Sequence, residues 1–154
     1  MTAQLEQLDI HQKRVPLIRI GKGAPVLYLH GIHGDLFSVE REDDLPCFLQ
    51  AMARQFDCIA PTHPGFADAG PSLEHIDTME DMIFHYLDLL ELLDLQGLSV
   101  VGHCLGGWIA AELAVRCPHR FAKLVLISAC GLYVEDHRIG DFFHATAPKA
   151  EGGR

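Results

Sequence analysis

The chain has 154 residues, 49% hydrophobic and 21% charged, a composition suited to one folded domain and not to a disordered segment. A formal net charge of −9 argues against nucleic acid and against an anionic membrane as partners, because both select a basic surface. No apolar run approaches the roughly 18 residues a membrane helix needs, and the polar start "MTAQLEQLDIHQKR" lacks the apolar middle of a signal peptide, so the expected setting is cytoplasmic.

In chain order the pattern alternates strands and helices, which predicts an α/β fold: a mostly parallel sheet flanked by helices. "RVPLIRIGKG" reads as an early strand turned by Gly21 and Gly23. "APVLYLHG" is a continuous apolar run of the kind found in a strand buried on both faces. "CFLQAMARQFD", after Pro46, suits a short amphipathic helix, and "CIAPTHPGF" a strand that breaks into a Pro/Gly loop. Over residues 77–94, Met79, Met82, Ile83, Tyr86, Leu90 and Leu93 fall three and four apart, predicting a helix with one apolar stripe for the core. Asp77 with Glu80 resembles a capping box at its start, and Gly97 stands just past its end. A strand over 98–102, a helix over 105–117 stopped by Pro118, and the strand "KLVLISA" follow. Beyond Gly131 the regular pattern fades, and the small polar residues at the end predict disorder.

The charge is uneven: between Arg54 and Arg116 there is no Lys or Arg but there are ten Asp and Glu, most of them on the predicted 77–94 helix as a solvated face. Five cysteines without a C-x-x-C pair suit neither a disulfide framework nor a zinc site, and most should be buried free thiols. Cys104 is set apart by position. Gly102-His103-Cys104-Leu105-Gly106 lies between a strand and a helix and has the form G-x-nucleophile-x-G. A sharp turn there needs Gly on both sides so that strand and helix approach without Cβ clashes. The helix N-terminus beneath Cys104 favours negative charge.

These features together resemble the N-terminal part of an α/β-hydrolase, over most of residues 15–145. "LHGIHGD" is similar to the family's oxyanion loop, "PTHPGFADAG" to the loop after the next strand, and "VVGHCLGGWIAAELAVRCPHRFAKLVLISACGL" to the nucleophile elbow, its helix and the following strand. A Cys at the elbow is a minority choice, resembling dienelactone hydrolases and polyhydroxyalkanoate synthases. The resemblance implies a hydrolase acting on an ester, thioester or lactone through an acyl-enzyme, with Cys104 as nucleophile and a small acyl substrate as partner. It assigns the N–H groups of Leu105 and Ile32 to the oxyanion, typically worth ~3 kcal/mol each. It implies no cofactor and no metal.

The family's acid and histidine follow later strands, which are not in this chain, so the alternative is a catalytically incomplete, non-enzymatic fragment. Residues 15–134 then read as the hydrolase core and 135–154, including "RIGDFFHATAPKA", as the start of a lid. No local residue is a convincing substitute base. His30, Gly31, His33, His63 and His103 are expected to line the cleft beside the elbow. His103 is expected to project away from Cys104 and to pack. His137 and His144 lie in the tail. The alternative position for an acid reads Ala129-Cys130-Gly131, and Glu135 and Asp136 come too late. Even unassisted, a thiol is partly ionised and strongly nucleophilic near neutral pH, whereas a serine hydroxyl is inert. A redox role would need a resolving thiol, and none stands near Cys104 in sequence. If the sheet stops at "KLVLISA", that strand is an open edge and predicts self-association.

Overall fold

The computed structural model describes residues 3–10, 13–32, 44–66, 76–133 and 135. Six strands form one mixed sheet: β1 (Gln4–Ile10), β2 (Lys13–Gly21), β3 (Ala24–Leu29), β4 (Phe56–Pro61), β5 (Leu98–His103) and β6 (Phe121–Ile127), in the order β1-β2-β4-β3-β5-β6. Strands β4, β3, β5 and β6 run parallel, while β2 joins β4 antiparallel and β1 folds back on β2 antiparallel. The sheet is therefore parallel over its site-bearing part and antiparallel at the N-terminal edge.

Strand β1 lies in the segment that reads as polar. Only Ile10 of its seven residues is buried and Leu5 is exposed, so this edge strand presents little apolar alternation to a sequence reading. Across β2 and β4, Arg19 Nε donates to Asp57 Oδ1 at 3.0 Å, a bidentate pair that ties the two strands at the surface.

Alternation along the central strands separates two cores. Leu27, Leu29, Ile59 and Val100 face helices α2 (Met79–Leu93) and α3 (Leu105–Arg116), meeting Ile83, Tyr86, Leu89, Leu90, Ile109 and Leu113. Val26, Tyr28, Cys58, Ala60 and Val101 turn to the other face, against Leu49 and Ala53 of and just beyond α1 (Cys47–Met52). Covering both faces is what requires the continuous apolar run in β3.

Helix α2 begins later and is capped differently than the spacing predicts. Thr78 is its N-cap: Thr78 Oγ accepts from the N–H of Asp81 at 3.2 Å, and Asp81 Oδ2 accepts from the N–H of Thr78 at 2.9 Å. The capping box is thus Thr78/Asp81, one residue after Asp77/Glu80, and those hydrogen bonds hold the Asp81 carboxyl below its ordinary range. Its C-cap is Asp94 at φ 45°, and Gly97 at φ 64° makes a second turn into β5. The Asp81 carboxylate can reach back to two amides, a short-range advantage that places the cap one residue on.

Candidate functional site

The parallel strands β3, β5 and β6 end side by side, and the site is built where they end. Strand β5 stops at His103, and α3 starts at Leu105 with only Cys104 between them. Cys104 adopts φ 52°, ψ −113°, a conformation an L-residue holds only when its surroundings enforce it. The enforcement is backbone contact through three glycines. A Cβ on Gly102 would lie 2.4 Å from Gly106 O, and one on Gly106 would lie 2.1 Å from Leu29 O. A Cβ on Gly107 would lie 2.6 Å from the Cβ of Ala129. The pattern G-x-C-x-G-G therefore brings the first turn of α3 against the ends of β3 and β6. The N–H of Gly106 donates to His30 O at 3.0 Å and seals that approach.

Gly31 brings the neighbouring loop onto the elbow. A Cβ there would stand 3.0 Å from His103 Nδ1 and 3.1 Å from Cys104 Cβ, so the backbone entering Ile32 passes directly beside Cys104. The half-buried His103 ring packs over Gly31. Leu105 is the first helical residue, and its N–H has no acceptor within the helix. Ile32 is 45% exposed. The two amides assigned from sequence to an oxyanion thus belong to segments that meet at Cys104. His33 lies outside the described residues, as do His137, His144, Asp136, all of the supposed lid over 135–154 except Glu135, and the last four residues of "PTHPGFADAG".

His30 and His63 depart from their expected place at a cleft mouth: both are fully buried. The N–H of His63 donates to His30 Nε2 at 3.0 Å, and His30 Nδ1 donates to Gly31 O at 2.8 Å, which assigns the His30 tautomer. His63 Nε2 donates to His30 O at 2.8 Å, leaving Nδ1 to accept from the Tyr86 hydroxyl. Burial and the neighbouring His30 press the His63 pKa down to about 3, so its imidazole is neutral. Burial raises the Tyr86 hydroxyl well above its ordinary range. With both ring nitrogens of each histidine engaged, neither is a free base. They form a strut from α2 through the β4 loop to Gly31, and this strut positions Ile32. A sequence reading counts Tyr86 in the apolar stripe; its ring is there, and its hydroxyl does this second job.

The partner of Cys104 is a thiol. Its Sγ stands 3.4 Å from Sγ of Cys130, just past β6. Burial, then the contact with Cys104, raises the Cys130 thiol above the ordinary cysteine range. A second thiol, which the sequence did not place near Cys104, is therefore adjacent to it in space. Parallel pairing of His103 with Ile127 aligns the two strand ends, and two Cys falling shortly after paired strands were the available signal. Cys58 and Cys117 are buried thiols; burial raises Cys58 to about 11, and Cys117 also sits above its usual range. A cavity of about 240 Å³ lined by Asp9, Ile10, Asp88, Glu91 and Leu92 shares no residue with the elbow. Among the described residues no group of three or more His, Cys, Asp or Glu could hold a metal, and no helix is long and apolar enough to cross a membrane.

A strand, a glycine-enforced corner and a helix at the centre of such a sheet define the α/β-hydrolase class. The family model of the alpha/beta hydrolase fold matches residues 24–147, and the chain belongs to that family. Among curated proteins it is 32% identical over 124 residues to the dihydrolipoyllysine-residue acetyltransferase component of the acetoin cleaving system of Cupriavidus necator, covering 80% of this chain and 31% of that protein. It is 30% identical over 117 residues to the 2-hydroxy-6-oxo-2,4-heptadienoate hydrolase of Pseudomonas putida, covering 75% and 41%. Among solved structures, the epoxide hydrolase CorEH superposes with a TM-score of 0.69 at 23% identity over 90% of this chain and 47% of that one. The naproxen esterase of Bacillus subtilis gives 0.69 at 18% identity over 86% and 45%. The chain spans less than half the length of these relatives.

Proposed function

We propose that Cys104 is an acyl-accepting nucleophile for a small ester, thioester or lactone. The observation that carries this reading is the corner itself: a sulfur at positive φ between β5 and the first turn of α3, with the Gly31–Ile32 backbone alongside. The thiolate adds to the carbonyl carbon, the oxygen takes the negative charge beside the N–H groups of Leu105 and Ile32, and the tetrahedral species collapses to an S-acyl enzyme as the alcohol or thiol leaves. Membership of a hydrolase family supports the reading. The small acyl substrate is the only partner it requires, and it requires no cofactor.

A second reading is favoured by the surroundings of the sulfur. Among the described residues Cys104 Sγ is hydrogen-bonded to a thiol, not to an imidazole or carboxylate, and His30 and His63 are engaged elsewhere. Among the described residues this arrangement offers acylation a nucleophile and deacylation no base, so the expected behaviour is one acylation at Cys104 followed by slow turnover or none.

The test is incubation of the reduced protein with p-nitrophenyl acetate, followed by intact-mass and peptide analysis. One acetyl group on Cys104, absent in C104A, is the expected result. Acetylation spread evenly over the five cysteines would remove the case for a dedicated nucleophile.

A further inference from the structure

The geometry points to a reversible disulfide between Cys104 and Cys130, a modification site that takes the elbow sulfur out of and back into reach of a substrate. The two thiols come together through backbone and not through chance side-chain rotation. The N–H of Cys104 donates to Ile127 O at 3.0 Å, and the N–H of Cys130 donates to Cys104 O at 3.0 Å, so the two residues are hydrogen-bonded neighbours. The turn carrying Cys130 is seated on α3. Gly131 takes φ 74°, and a Cβ there would lie 2.4 Å from the Trp108 ring, while Ala129 abuts Gly107. From 3.4 Å, the sulfurs need to close by roughly 1.4 Å to reach a bonded separation of ~2.05 Å, a change within the range of small χ1 adjustments at two residues.

The pair also has a division of labour. Both thiols are partly exposed; Cys104 tops a helix N-terminus, while partial desolvation and the contact with Cys104 favour the protonated form of Cys130, which follows as the resolving thiol. The oxidant is a low-molecular-weight disulfide such as oxidised glutathione. Cys104 thiolate attacks one of its sulfurs, forming a mixed disulfide and expelling one glutathione thiolate, which takes up the proton released by Cys130. Cys130 sulfur then attacks Cys104 Sγ and expels the second glutathione. Two protein thiols are oxidised, one small disulfide is reduced, and the elbow sulfur is no longer a thiolate that can attack a carbonyl. Excess thiol reverses both steps. The disulfide itself does not depend on the nucleophile reading; only its effect on acylation rests on that.

The test equilibrates the full 154-residue chain in glutathione buffers from fully reduced to fully oxidised, quenches with iodoacetamide, and maps the peptides. Acetyl uptake from p-nitrophenyl acetate is measured in parallel. Two of the five thiols should disappear together in a linked Cys104–Cys130 peptide pair. Acetyl uptake should fall by about tenfold or more, because a disulfide sulfur is not a nucleophile, and dithiothreitol should restore it. The C130S protein should instead hold glutathione on Cys104. Wild-type protein that keeps all five thiols in oxidised glutathione, or that accumulates the mixed disulfide as C130S does, overturns the proposal. A linked pair in a protein that takes up no acetyl group when reduced upholds the disulfide and overturns the nucleophile reading alone.

Discussion

A single buried imidazole sets a measurable property of this molecule. An unfolded His63 titrates near 6.5, whereas the folded one stays neutral down to about 3, because protonation would place a charge beside His30 in the interior. Between those values the unfolded chain binds more protons, so stability rises with pH through that window, is fully present above about 6.5, and is lost as pH falls. Urea unfolding at pH 7.5 and 5.0 should show a loss of about 2 kcal/mol from this group, with a slope near 1.4 kcal/mol per pH unit. The H63Q protein should lack that component; an equal decline in H63Q would assign the effect to other groups. The pattern "LHG…PTHPG" exposed both histidines to a sequence reading but not their burial, since each hides by bonding the other across 33 residues.

Among the elements, the β5–α3 junction depends on absent side chains. Gly106 has no positive φ, so its necessity is steric: a methyl group would press on Leu29 O and His30 O, at 2.1 and 2.6 Å, and drive α3 off β3. G106A should cost about 3 kcal/mol or more in urea unfolding, at the large end for one substitution. Gly97 supplies the contrast, with φ 64° and nothing within 4 Å of a Cβ, so G97A should cost only about 1–2 kcal/mol, the intrinsic penalty of the left-handed region. Equal effects at the two sites would mean that the close approach of helix to strand contributes little. This element was legible in advance because its demand is local: a strand, a corner and a helix within about twenty residues.

Across the whole molecule, β6 is the outer strand of the described sheet, and it is apolar on both faces. Leu124, Val125, Leu126 and Ile127 are 39%, 46%, 36% and 36% exposed, in contrast to the buried residues of β3. A strand with unpaired amides and carbonyls beside such side chains is a template for pairing with another strand. We infer that the 154-residue chain self-associates through this edge. Sedimentation velocity should show concentration-dependent species that V125K, which puts a charge on the edge without removing buried packing, shifts toward monomer. A wild-type chain that sediments as a monomer at all concentrations would refute the inference. Sequence order alone made "KLVLISA" a strand, and the observed order β1-β2-β4-β3-β5-β6 makes it an edge of the sheet among the described residues.

Spacing along the chain was enough to establish the α/β class, the two longer helices and the corner at Cys104, because each rests on residues close in sequence or on one recurring pattern, whereas the place of Gly31 beside the corner was implied only by the family resemblance. It misplaced the α2 cap by one residue, where two neighbouring pairs offer similar chemistry and only the folded carboxylate chooses between them. Tertiary structure alone decided three matters. It added β1 to the sheet, buried the His30–His63–Tyr86 strut, and set Cys130 against Cys104. In each case the partners are brought together by strand pairing or by burial, and neither leaves a mark in the spacing of residues along one segment.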